Sequence, residues 1–258
     1  MAKKITRIAA DPAAASPAQN IRETFVPTAE SKGKATRLRV IAGILWFFAV
    51  AAQAGAISLL FRKPVNMTWI IILIVLDLIL VVTGSILWKQ SNRLDPASEK
   101  NKFRFFMQSQ LGLVVSAIAF LPLIVFVLTN KNLDGRQKGI LGGIAGVALL
   151  IAGITGIDFN PPSVEQYTEQ TKRVEWLNEG ANKVFWTKSG KVYHLYNDCS
   201  YINTDRTAEI FEGTVAQARA LKNITSLCSR CENRAVKERG LEEADRQEAG
   251  EEAVPAEH

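Results

Sequence analysis

Cysteine and histidine are scarce in this chain, three and two respectively in 258 residues. An odd number of cysteines argues against a disulfide framework. The first 38 residues have basic groups but no apolar run, only Ala/Pro/Ser-rich sequence, so no secretory leader is expected. Charge is nearly absent from four apolar runs that follow. Between residues 160 and 232, nine Lys/Arg balance nine Asp/Glu. That stretch therefore lacks the basic face that phosphate-backbone binding uses, and nucleic acid is not an expected partner.

What charge there is lies at the ends and in the connections. Residues 1–39 carry eight Lys/Arg against three acids, while residues 233–258 carry four against eight. The net charge of +6 thus belongs to the flanks of the apolar runs. Residues 1–38 read as a disordered basic arm whose Lys32–Arg39 end is attracted to anionic lipid headgroups. Residues 233–258 read as an acidic tail, beginning with a charged helical pattern (Arg234, Glu238, Glu242, Arg246).

A membrane-spanning helix needs roughly 20 predominantly apolar residues. Val40–Phe61, Met67–Trp88, Gln110–Leu128 and Gly139–Ile157 meet that requirement. Residues 39–158 are therefore expected to form an all-α bundle of four membrane helices, with the lipid bilayer as their solvent. The arm before the first span and the loop after the second (Lys89, Arg93, Lys100, Lys102, Arg104) are the basic ones. By the positive-inside rule the amino terminus is cytoplasmic, and an even number of spans returns the carboxyl terminus there. A multi-pass protein of the cell membrane is the expectation. Trp46, Trp69 and Trp88 lie where interfacial anchors often do, and Gly142-x3-Gly146 and Ala152-x3-Gly156 offer close helix packing.

Asp77 is the one ionisable residue deep inside a span. A carboxylate there is costly, so it must be protonated or face a partner within the bundle. Two readings stand: packing through Gln53 or Ser116, or a site for proton or cation passage.

Past Asp158-Phe-Asn-Pro-Pro162, Ser163-Val-Glu-Gln166 has a capping-box pattern, and Val164, Tyr167, Val174 and Leu177 recur at helical spacing. Residues 159–182 are expected to be a connector built on a helix over 164–178. Lys183–Trp186 and Lys191–Leu195 then read as a β-hairpin turning at Ser189-Gly190, and Gly213–Leu221 as a short helix presenting Val215, Ala218 and Leu221.

Three cysteines and one histidine fall inside this segment, as His194-x4-Cys199 and Cys228-x2-Cys231. One imidazole and three thiolates complete a tetrahedral shell, and zinc accepts such ligands without redox chemistry. A closed shell of this kind is structural, because catalytic zinc keeps a position open for water. Residues 183–232 are thus expected to be a small α+β zinc-binding module whose folding depends on its metal.

The stretch Phe185-Trp-Thr-Lys-Ser-Gly-Lys-Val-Tyr-His194, Cys199, Gly213-Thr-x2-Gln-Ala218 and Cys228-Ser-Arg-Cys231 resembles the Ada-type metal-binding fold. The resemblance covers about residues 183–232 and implies the zinc site, with Cys199, Cys228 and Cys231 as matching ligands. It departs at the first ligand pair. In the DNA-repair members one cysteine of that pair accepts a methyl group, whereas His194 occupies the corresponding position here, with four intervening residues instead of three. Alkyl transfer is not what this departure favours.

Together these readings give an anchored zinc module used for docking or regulation at the membrane, with no enzymatic activity expected and with a protein partner at the module or the acidic tail. The alternatives are an Ada-like cysteine alkyl acceptor or DNA-directed activity centred on Cys199, and ion or proton passage involving Asp77.

Overall fold

A computed structural model describes residues 4–8, 25–27, 29–222 and 224–240. The chain divides into two compact units, Ala29–Pro162 and the combination of Met1–Thr28 with Ser163–His258.

The first unit holds four helices, α1 (Ala29–Leu60), α2 (Met67–Leu94), α3 (Lys102–Thr129) and α4 (Gly135–Gly156). All four are long and apolar enough to cross a membrane. At about 1.5 Å per residue even the shortest spans about 33 Å, against a hydrocarbon core of about 30 Å. Asn66, Asn101 and Asp134 cap α2, α3 and α4 by accepting a backbone N–H from the first turn. Asp134 and Gln137 complete a reciprocal capping box. Apolar side chains such as Phe47, Ile79, Val125 and Ile154 point outward, an arrangement suited to lipid and costly in water.

Polar groups inside this unit are mostly committed to backbone carbonyls. The Gln53 amide of α1 donates to the Ile118 carbonyl of α3 at 3.0 Å. Ser116 Oγ donates to the Gly112 carbonyl at 2.8 Å and lies 3.0 Å from the Ala152 carbonyl of α4. The expected partners of Asp77 are therefore engaged elsewhere. Asp77 itself is buried, and neither of its carboxyl oxygens has a hydrogen-bond partner among the described residues.

The small-residue pair Ala152/Gly156 lies where α4 meets the backbone of α3. A Cβ on Gly156 would stand 2.7 Å from the Gly112 carbonyl group, so only glycine fits. Gly146 has open space around it and takes no part in such packing. Trp46 departs from its expected interfacial role. It is buried, its ring centroid lies 5.4 Å from that of Trp88, and its Nε1–H points to the Val81 carbonyl at 3.4 Å.

The second unit contains β1 (Lys4–Arg7), α5 (Val164–Leu177), β2 (Val184–Thr187), β3 (Glu209–Gly213), α6 (Val215–Lys222) and α7 (Ser229–Arg239). Its three-stranded sheet has the order β1-β3-β2, with β1 parallel and β2 antiparallel to β3. The apolar core comes from α5, β2, β3, α6 and α7, centred on Trp186, Tyr193, Ile210 and Ile224.

Three expectations need correction here. The arm over residues 1–38 is not disordered throughout. Lys4–Arg7 forms β1, because the edge of β3 offers backbone partners that four residues alone could not supply. At its other end, Ala29–Leu38 is the first part of α1, where good helix formers and a Glu30–Lys34 pair one turn apart extend the helix beyond the apolar run. Residues 9–24 and the acidic tail 241–258 lie outside the described residues.

The expected hairpin also changes. Its second strand shrinks to one bridge between Phe185 and His194, and the main partner of β2 is β3. Third, Leu221 is half exposed and Arg219 takes the buried position on α6. At about 100° per residue, Val215, Ala218 and Arg219 share a face that Leu221 turns away from. The connector helix has its expected bounds, with Ser163 accepting the Gln166 N–H.

Candidate metal centre

His194, Cys199, Cys228 and Cys231 converge. Their ligand atoms all lie within 4.8 Å of one another, and all four residues are buried. His194 Nδ1 is 3.7 Å from Cys231 Sγ. With ligand bonds of about 2.0–2.3 Å, a tetrahedral nitrogen–sulfur edge is about 3.6 Å. The group is thus set at metal-binding distance.

Each ligand is placed by backbone hydrogen bonds. His194 exchanges two with Phe185 of β2, each 2.7 Å long. Tyr193, next to it, accepts from the Cys228 N–H at 2.9 Å and donates to the Ser226 carbonyl at 3.0 Å. The ladder that begins at β1 therefore continues from β2 through residues 193–194 to residues 226–228. Cys199 sits in a tight turn whose carbonyl accepts from Ile202 and Asn203 at 2.9 and 2.7 Å.

Cys228 is the N-cap of α7 and Cys231 lies in its first turn. Both sulfurs thus meet the positive end of a helix, which favours thiolate. The nearby Tyr196 and Leu195 backbone groups also favour the Cys231 thiolate. Burial nevertheless dominates in the metal-free chain, and with the nearby Cys199 thiol it pushes Cys231 up to about 12. Burial pulls His194 down to about 4, leaving its imidazole neutral and ready to coordinate. The donor set fits a thiophilic ion held by three thiolates and one imidazole.

The surroundings are charged but largely paired. Arg234 bridges Asp198 at 2.8 Å and Glu238 at 2.8 Å, and its guanidinium lies 4.1 Å from the Tyr196 ring centroid. Arg230 lies over the Tyr201 ring at 5.8 Å. A recess beside Cys199 and Cys231 is lined by Tyr196, Asp198, Ser200, Arg230 and Arg234.

Arg219 is the buried charge that sequence reasoning missed. Its guanidinium stands 4.1 Å from the Tyr167 ring and 5.6 Å from that of Phe25, and it donates to the Tyr167 carbonyl at 3.0 Å. Burial lowers it to about 10, so it stays charged at neutral pH. The helical spacing Val215/Arg219 was the available signal. Gly213 admits Trp186, since a Cβ there would lie 2.8 Å from the indole ring. Thr214 and Gln217 then form a reciprocal capping box that starts α6.

Asp77 is not part of this centre; it belongs to the bundle unit. No protein-family model matches the chain, and no curated protein or solved structure matches it.

Proposed function

We propose that the chain is a multi-pass cell-membrane protein whose carboxyl-side module holds one structural zinc ion and serves as a docking or regulatory element on the cytoplasmic face. The observation that carries this reading is the burial of one imidazole and three thiols with their ligand atoms within 4.8 Å. Four protein ligands fill a tetrahedron and leave no place for a reactive water, so the metal's work is to hold the fold. His194, Cys199, Cys228 and Cys231 would be its ligands, as the Ada-type resemblance also implies.

Both termini are assigned to the cytoplasm. The pairing of β1 with β3 supports placing the segments before α1 and after α4 on one side, as four crossings would. The basic arm and the basic α2–α3 loop select the inner face.

The test uses full-length protein purified in detergent. One zinc per chain, released with loss of module structure on chelation, is the expected result. A partner retained by the wild type and lost by Cys228→Ser/Cys231→Ser supports docking; absence of any metal-dependent partner counts heavily against it. Incubation with a methyl donor should leave the intact mass unchanged. A single added methyl group would instead establish the cysteine alkyl-acceptor reading.

A second reading is supported by Asp77, whose two carboxyl oxygens lack hydrogen-bond partners among the described residues. A buried acid in this state can take up and release a proton within the bundle. Proton or cation flux into liposomes that disappears in Asp77→Asn would favour that reading, and unchanged flux would end it.

A further inference from the structure

We propose that the outer edge of β3 is a docking site for an extended basic peptide, and that residues 4–8 of the same chain are its tethered, displaceable occupant. This deepens the docking reading above and relies on it only for biological use. The geometry rests on the sheet.

β1 behaves as a ligand of the module. It enters from a distant part of the sequence, separated from β3 by all four spans. Its residues pair in parallel register, Lys4 with Glu209 through Arg7 with Glu212, and the Ile8 N–H extends the ladder to the Glu212 carbonyl at 2.9 Å. This is strand addition to a sheet edge, in which the backbone supplies affinity and side chains select the peptide.

Selection comes from charge. Lys4 Nζ lies 3.5 Å from Glu209 and Arg7 Nε 3.3 Å from Glu212. Thr6 Oγ1 also donates to Glu209. The basic side chains are about four-fifths exposed, 77% and 82%, whereas those of Glu209 and Glu212 are 33% and 16% exposed. The acids therefore belong to the module and the bases arrive from solvent. The recognised class is an extended segment with a basic residue, a hydroxyl two positions later and a second basic residue after it.

The occupant can leave without dismantling its host. The residues of the buried core cluster come from Val174–Ala235, and of residues 4–8 only Ile8 packs against it, partly buried; Phe25, outside the strand, packs instead on Tyr167 of α5. Lys4, Ile5 and Arg7 are exposed in place. Departure would uncover a row of β3 backbone donors and acceptors, an edge that accepts another strand. Ion pairs this exposed add little individually, so the ladder and the tether hold the cis segment, whereas carboxylates placed opposite Glu209 and Glu212 would repel it and free the edge.

The experiment compares full-length wild type with a chain lacking residues 1–10, both in detergent. The probe is a fluorescent synthetic peptide of residues 1–10, followed by anisotropy, with zinc content measured in every sample. The deletion chain should bind the peptide at least about tenfold more tightly than wild type, whose own strand competes in cis. Lys4→Glu/Arg7→Glu in the peptide should abolish binding, and Glu209→Lys/Glu212→Lys in the deletion chain should restore it. Full-length Lys4→Glu/Arg7→Glu, which leaves the core untouched, should also take up the unmodified peptide.

Failure of both the deletion chain and this second variant to bind overturns the proposal, as does equal binding by wild type. A peptide-dependent change in oligomeric state would assign the edge to exchange between copies and overturn the cis assignment. Zinc retained without peptide binding condemns the edge alone; peptide binding by zinc-free chain condemns the metal reading alone.

Discussion

Gln53 and Ile118 form a polar contact across the bundle whose cause lies four residues further along α3. Pro122 has no N–H, so the Ile118 carbonyl lacks its helical donor, and the Gln53 side chain supplies one at 3.0 Å. In lipid no water can replace that bond. Gln53→Leu should therefore cost about 1–3 kcal/mol, the penalty for an unsatisfied buried carbonyl. Pro122→Ala restores the N–H and should make Gln53→Leu nearly harmless. A double-mutant cycle in detergent unfolding measures the coupling, and additive effects would break this account.

Gly156 is the point at which α4 meets the backbone of α3. Gly156→Ala places a methyl group 2.7 Å from the Gly112 carbonyl group and should destabilise the bundle by about 1–3 kcal/mol. Gly146→Ala, facing open space, should be neutral or slightly stabilising. Comparing thermal midpoints of the two variants tests the assignment; equal effects would reject it.

Zinc uptake should release protons. Coordination requires deprotonation of three thiols, while His194, held near 4 by burial, is already neutral. About three protons per zinc are expected at pH 7 in a weak buffer, and the logarithm of affinity should rise with pH at a slope of about three. Four protons would mean that His194 is charged before binding.

Arg219 should tolerate removal of its charge better than its replacement by lysine. Methionine fills similar space without a buried cation, whereas lysine presents a compact, strongly hydrated ammonium to the Tyr167 ring and loses the planar fork. Arg219→Lys is expected to lower stability by about 1–2 kcal/mol more than Arg219→Met. The opposite order in chemical denaturation would show that the charge itself stabilises the module.

Much of this was legible before any fold was known, for local reasons. The spans declare themselves because lipid demands about 20 apolar residues in succession, which only composition has to supply. His194, Cys199, Cys228 and Cys231 are recognisable by type and spacing, and Ser163 and Gln166 by the chemistry of a helix start. Other features had no local signature. Lys4–Arg7 is too short to show a period, and it becomes a strand only because Glu209–Gly213 lies beside it. Gln53 could as well have faced Asp77, and the orphaned Ile118 carbonyl decided otherwise.

By itself the sequence determined which segments can cross a membrane and which side chains can hold a metal, since hydropathy and donor chemistry are properties of residues. Tertiary structure alone decided that residues 4–8 complete a sheet with residues 209–213, that Arg219 is buried, and that Asp77 has no hydrogen-bond partner among the described residues. Those outcomes depend on which surfaces meet across long stretches of chain, and pairing between distant backbones leaves no mark in either segment alone.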